Sequence, residues 1–87
     1  MSLEDIRLQV NAIDARIVGL LAQRAWLVRD AVRYGAEQIE ARERQEQIIQ
    51  HVRYMAEHQG LPPNMEERIF RTILTEMVAL EKREAGL

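Results

Sequence analysis

Arg24 interrupts a series of apolar residues that recurs along the first third of the chain. The series advances by alternating steps of three and four residues, and its members are Leu3, Ile6, Val10, Ile13, Ile17, Leu20, Arg24, Leu27 and Ala31. This spacing keeps them on one face of an α-helix, and such a face packs against another surface. Burying a charge there is costly unless an opposite charge pairs with it. Arg24 therefore indicates either that the buried face ends or that the site binds an anion.

Three further charged residues interrupt or border predicted apolar faces. Arg44 falls within the apolar periodicity of a second helix, Glu81 lies at the edge of the apolar face of a third, and Arg7 borders the first. Each has an ordinary explanation, because an arginine at such an edge can extend its guanidinium into water and a glutamate can pair along its own helix. Two or three converging arginines, however, would form a site for a small dicarboxylate, since each guanidinium binds a carboxylate with two hydrogen bonds.

The residue types present also exclude several kinds of chemistry. The chain has no cysteine, no glycine-rich phosphate loop, and Ser2 as its only serine. His51 and His58 lie seven residues apart on one helix, but such a pair without further ligands is more typical of a surface than of a metal site. We therefore expect no metal, and a function in binding or in a reaction that needs only positioning and electrostatic stabilisation.

Composition and length limit the class of protein. With 87 residues, of which 47% are hydrophobic and 30% charged, the chain is expected to form a single domain over residues 1–87. A net charge of -2 gives no support for a nucleic-acid partner. No apolar run approaches the roughly 18 residues of a membrane span. The lack of cysteines and of a basic-then-apolar leader favours a cytoplasmic protein.

A long first helix is predicted over residues 3–34. Ser2 can cap its N-terminus, and Gly35 is a natural stop because glycine adopts the backbone conformation that ends helices. A helix of about 32 residues is roughly 48 Å long, whereas a compact domain of this size is roughly 30 Å across. Because the apolar series continues to both ends of the helix, we expect the excess length to be buried in an obligate homodimer.

Two shorter helices are predicted to follow, which places the chain in the all-α class. The second is expected over residues 39–58. Residues 60–63, which contain a glycine and both prolines, form the clearest break in the chain. The third helix is expected to begin after Asn64, which would act as its N-cap in a capping box with Glu67.

Several stretches of the chain resemble the all-helical, AroQ-class chorismate mutases. Residues 6–14 (IRLQVNAID) and 20–24 (LLAQR) resemble the first helix of that family, residues 39–49 the start of its second, and residues 69–81 its third. The segment 39–44 (IEARER) is at least as similar to the related isochorismate-pyruvate lyases, which make salicylate. The resemblance covers nearly the whole chain.

The resemblance implies an intertwined homodimer with two sites for chorismate or isochorismate. Arg24 and Arg44 would hold the substrate carboxylates in their own chain's site, Gln45 would lie beside them, and Arg7 would enter from the partner chain. Chorismate mutases hold the substrate in its reactive diaxial shape and stabilise the negative charge that develops on its ether oxygen. Such an enzyme rearranges chorismate to prephenate without a cofactor or a covalent intermediate.

Among the positions that depart from that family's pattern, two concern the groups that contact the ether oxygen. The family lysine that contacts the ether oxygen is replaced by Gly35, which predicts a weak enzyme, because loss of one well-placed donor costs roughly 10²–10³ in rate. The family glutamine on the third helix is replaced by Glu81. A carboxyl group must be protonated to donate a hydrogen bond, so Glu81 predicts activity that favours acid pH.

Four functions stay open on the sequence. The first is a chorismate mutase of the shikimate pathway and aromatic amino acid biosynthesis, and the second is a lyase of salicylate biosynthesis. The third is a non-catalytic dimer that binds a small dicarboxylate, and the fourth is a helical dimerisation module whose arginines are all solvated. Either enzyme could also require an activating protein partner.

Overall fold

Three α-helices and a short connection account for the whole chain. In a computed structural model that describes residues 1–87, α1 extends over Leu3–Ala31, α2 over Arg42–His58 and α3 over Pro63–Glu84. Residues 32–41, hereafter the connection, contain two turns of 3₁₀ helix and join α1 to α2. The prediction of an all-α fold with one long and two shorter helices is confirmed.

The predicted cap of α1 is confirmed, and its end lies slightly earlier than predicted. The Ser2 hydroxyl accepts a hydrogen bond from the Asp5 amide at 3.1 Å, and the Asp5 carboxylate accepts one from the Ser2 amide at 3.0 Å. This capping box satisfies two amides that would otherwise lack partners. At the other end the backbone tightens into 3₁₀ helix after Ala31. Gly35 then adopts a φ of 129°, which a helix cannot contain.

The predicted start of α2 at Ile39 is wrong, because the helix begins three residues later. Ile39 is buried in the connection with an extended backbone (φ -77°, ψ 134°). Glu40 follows with a φ of 58°, in the left-handed region that residues other than glycine rarely adopt. Neither conformation belongs to a right-handed helix, so α2 cannot begin before Arg42.

The predicted cap of α3 is also wrong. The helix begins at Pro63, with Pro62 as the N-cap residue. Proline suits the first helical position because its φ is already helical and it has no amide hydrogen to leave unpaired. Asn64 and Glu67, which were expected to form a capping box, each accept a hydrogen bond from Arg53 of α2 at 2.8 Å instead.

The core is small and lies mainly between α2 and α3. Only eight of the 87 residues are buried, and Ile49 is the most deeply buried of them at 1% exposure. α1 contributes one residue to this set, Ala25, from its C-terminal half. Outside the core, Arg53 and Arg71 tie α2 to α3 through ion pairs with Glu67 and Glu46.

The N-terminal half of α1 projects beyond this core. The molecule is 50 Å long with a radius of gyration of 15.6 Å, well above the ~12 Å of a compact chain of this length. Every residue from 1 to 20 is exposed, and the large apolar residues of the α1 face are each 46% to 61% exposed, namely Leu3, Ile6, Val10, Ile13, Ile17, Leu20 and Leu27. None of the three α-helices has the combination of length and apolarity needed to cross a membrane.

Candidate functional site

A cavity of about 260 Å³ lies where the three helices and the connection meet. Residues from all four segments line it, so no single helix could form it alone. The lining residues are Arg24, Leu27, Val28 and Ala31 of α1; Gln38, Glu40 and Ala41 of the connection; Arg44, Gln45 and Ile48 of α2; and Leu74, Met77, Val78 and Glu81 of α3. The apolar members form its walls, and the polar members determine what it can bind.

The cavity holds two arginines that have no partner within the chain. Neither Arg24 nor Arg44 forms an ion pair or a side-chain hydrogen bond, whereas Arg53 and Arg71 on the outer surface are both paired. Burial lowers the pKa of Arg24, Glu81 opposes that shift, and the neighbouring Arg44 adds to it. Because arginine loses its proton only far above neutral pH, both side chains stay cationic. The cavity is therefore suited to a ligand with two negative groups.

Glu81 is the acidic residue of the cavity whose charge acts on Arg24. Burial raises its pKa, and the positive charge of Arg24 offsets part of that rise. The Glu81 carboxyl therefore keeps its proton to a higher pH than an ordinary glutamate. In that protonated form it can donate a hydrogen bond to an oxygen of a bound ligand.

The structure brings four of the six residues expected at the site to this cavity. Arg24, Arg44, Gln45 and Glu81 all line it. Arg7 does not, because it lies 17 residues before Arg24 on the projecting part of α1, about 25 Å away along a straight helix. Its entry into a partner's cavity stays a prediction.

Gly35, the sixth expected residue, is not among those that line the cavity. It lies in the connection with a φ of 129°, and a Cβ atom built on it would overlap the carboxylate of Glu37. A side chain at this position would therefore require a different backbone conformation.

Two polar lining residues, Gln38 and Glu40, were not expected at the site from the sequence. Both belong to the connection, where apolar periodicity gives no information about which way a residue faces. Glu40 pairs with Lys82 of α3, whose Nζ lies 2.7 Å from the Glu40 Oε1 atom. No local signal in the sequence indicates this pairing, because the two residues are far apart along the chain.

Comparison with known families agrees with this architecture. Residues 6–82 match the family described as chorismate mutase type II. The chain belongs to this family. Type II chorismate mutases act on chorismate and are commonly dimeric, and the resemblance to the AroQ class is confirmed. Comparison with curated proteins gives no match.

The site of this type II chorismate mutase family member combines two unpaired arginines with Glu81, a carboxyl group of raised pKa. It contains no serine, cysteine or histidine among its lining residues. The structure has no group of three or more potential metal ligands close together. Such a site can bind a dianion, hold it in one shape and donate a hydrogen bond to an oxygen on which negative charge develops.

A second hollow, lined by α2, α3 and the connection, is less suited to an anion. Its cations are Arg42, Arg71 and Lys82. Arg71 is already paired with two glutamates and Lys82 with one. Because two of its three cations are neutralised within the chain, the cavity that contains Arg24 and Arg44 is the better candidate site.

Proposed function

We propose that the protein is a chorismate mutase that converts chorismate to prephenate. The observation that carries this proposal is the convergence of two unpaired arginines and one carboxyl group of raised pKa in a single cavity. Arg24 and Arg44 each bind a substrate carboxylate with paired hydrogen bonds, and this holds chorismate in the diaxial shape from which it reacts.

Protonated Glu81 supplies the second part of the proposed mechanism. The rearrangement breaks the bond between carbon and the ether oxygen while a carbon–carbon bond forms, so negative charge develops on that oxygen. A hydrogen bond from the Glu81 carboxyl is strongest in this transition state and lowers the barrier. The reaction requires no nucleophile and no covalent intermediate, which agrees with the residue types that line the cavity.

We further propose that the active form is an intertwined homodimer. Support comes from the apolar face of α1, which is about half-exposed over its whole length in the single chain. An exposed apolar surface that long is typical of an interface between subunits. A second copy packed along α1 would bring its own Arg7 close to the cavity of the first, where a third cation would strengthen dianion binding.

Chorismate turnover in purified protein tests the proposal directly. Chorismate loss is followed by absorbance and prephenate is identified as the product. Arg24→Ala removes two charge-assisted hydrogen bonds of about 1.5–3 kcal/mol each, so kcat/KM should fall roughly 10²–10⁴-fold. Arg16→Ala, an exposed and unpaired arginine on the same helix, is the matched control and should leave kcat/KM unchanged. Equal effects of the two substitutions would contradict the proposal.

An isochorismate-pyruvate lyase is the alternative activity. The observation that favours it is the end of the connection and start of α2, residues 39–44, which resembles the lyases at least as closely as the mutases. The lyase reaction also acts on a dicarboxylate and could use the same arginines. Isochorismate with salicylate fluorescence as readout separates the two activities. Binding of a dicarboxylate transition-state analogue without turnover of either substrate would instead indicate a non-catalytic dimer.

A further inference from the structure

Gln38 is the one neutral polar residue of the connection that lines the cavity. Its backbone is fixed, because the Gln38 amide donates to the Gly35 carbonyl at 3.1 Å and the Ile39 amide donates to the Ala36 carbonyl at 3.0 Å. The next residue, Ile39, is buried and anchors this turn against the core. The Gln38 side-chain amide has no partner within the chain, so its donor and acceptor groups are available to a ligand.

Glu40 holds the connection against α3. Its left-handed φ of 58° is unfavourable for a residue with a side chain and persists only where other contacts impose it. Its ion pair with Lys82, at 2.7 Å, and the buried side chain of Ile39 supply those contacts. Because Lys82 directly follows Glu81 in α3, the connection is attached to α3 at the cavity itself.

The same ion pair also controls the charge of the cavity. Glu40 is one of the residues that line the cavity, as is Arg44. A free carboxylate there would compete with the carboxylates of a ligand for the guanidinium groups and repel a dianion. Lys82 neutralises it. Ala41, the N-cap residue of α2, makes no side-chain capping hydrogen bond, so the start of the helix that carries Arg44 depends on the connection for its position.

We propose that Gln38 contacts the bound substrate and that the Glu40–Lys82 ion pair is the positioning device that holds Gln38 and the start of α2 at the cavity. The Gln38 contact rests on the proposed function, since it concerns the same ligand. The ion pair acts on the ligand only through the residues that it positions and through the charge that it removes from the cavity.

Charge reversal of the ion pair tests the positioning role. Lys82→Glu should lower kcat/KM for chorismate at least tenfold, because it breaks the ion pair and leaves the Glu40 carboxylate free. Glu40→Lys breaks the same contact but adds a cation to the cavity, so its loss should be smaller. The double reversal should restore kcat/KM to within about threefold of the wild type. Arg33→Ala, which breaks the exposed ion pair between Arg33 of the connection and Asp30 of α1, is the control and should have no effect. A double variant that is no better than the worse single variant would overturn the proposal.

Gln38→Ala tests the contact. Loss of one hydrogen bond to a charged group should lower kcat/KM about 10- to 100-fold, with the melting temperature unchanged. Gln38→Glu should lower it further, because it adds a negative charge. Gln50→Ala, an exposed glutamine on α2 outside the cavity, is the matched control. Unchanged kinetics in both Gln38 variants would overturn the assignment of Gln38.

Amide hydrogen exchange separates failure of this inference from failure of the proposed function. Lys82→Met should increase exchange of the Ile39 amide, which is protected by its hydrogen bond to Ala36, and this needs no ligand. Unchanged exchange would overturn the positioning role whatever the activity. If the wild type neither turns over chorismate nor binds a dicarboxylate analogue, the proposed function and the Gln38 contact fail together, and the exchange result alone decides the role of the ion pair.

Discussion

Replacing Glu81 with glutamine should convert a pH-dependent activity into a constant one. In the wild type, only the protonated carboxyl can donate a hydrogen bond to the ether oxygen. Burial raises the pKa of Glu81 and Arg24 partly lowers it, so the donor form persists above the ordinary range of a glutamate and is lost as the pH rises further. The glutamine amide donates at every pH.

The expected magnitude follows from this single titration. Above the pKa of Glu81 the protonated fraction falls tenfold for each pH unit, and kcat/KM of the wild type should fall with the same slope. The ratio of Glu81→Gln to wild-type activity should therefore rise tenfold per unit over that range and be constant below it. The free energy of unfolding also changes over this pH range. Because the folded protein binds this proton more tightly than the unfolded chain, the wild type loses stability there as pH rises, and the variant does not.

Rates measured at several pH values for both proteins test the prediction, with chorismate absorbance as the readout. The pKa of the Glu81 carboxyl can be measured independently by NMR from its carboxyl carbon. In Arg24→Met this pKa should increase, because the cation that lowers it has been removed while the burial remains. A wild-type rate that is constant from acid to neutral pH, or a Glu81→Gln variant inactive at every pH, would refute the assigned role.

Three further predictions concern the fold and its assembly. Ile13→Asp places a charge in the apolar face of α1, at a residue 52% exposed in the single chain, and should convert a dimer to monomers in sedimentation equilibrium. Gly35→Lys should lower the free energy of unfolding by about 1–3 kcal/mol in urea denaturation because of its positive φ, whereas Gly19→Ala, in an open helical position, should raise it by roughly 0.5–1 kcal/mol. Ile49→Ala should lower the free energy of unfolding by about 2–5 kcal/mol in the same measurement, because it leaves a cavity at a fully buried position. Equal stability of the Gly35 and Gly19 variants, or a dimeric Ile13 variant, would contradict these arguments.

Features that depend on neighbouring residues or on the spacing of apolar residues could be predicted from the sequence. The Ser2 cap depends on residues within one turn, and the length of α1 follows from a continuous apolar series. The same periodicity showed that Arg24, Arg44 and Glu81 interrupt apolar faces. Their convergence in one cavity could be anticipated only from the family resemblance, since periodicity gives the face of a helix and not its neighbour.

The predictions for the cap of α3 and the start of α2 were wrong because residues far apart in the chain make contact there. Asn64 and Glu67 fit a capping box in sequence, but Arg53 from another helix takes both as hydrogen-bond acceptors. The start of α2 was misplaced because Glu40 lies outside the helical region, and the charged partner of its side chain, Lys82, is more than 40 residues away in the chain. That long-range pair also explains why the role of the connection could not be predicted.

The projection of α1 beyond its own core has a genetic consequence. If each cavity takes Arg24 from one chain and Arg7 from the other, the single chain is not the unit of activity. A chain with Arg7→Ala and a chain with Arg24→Ala would each form inactive homodimers, but a mixed dimer would contain one intact site and one site lacking both arginines. After random exchange of subunits, two inactive proteins should together recover roughly a quarter of the wild-type activity. Alleles of this gene would then complement one another.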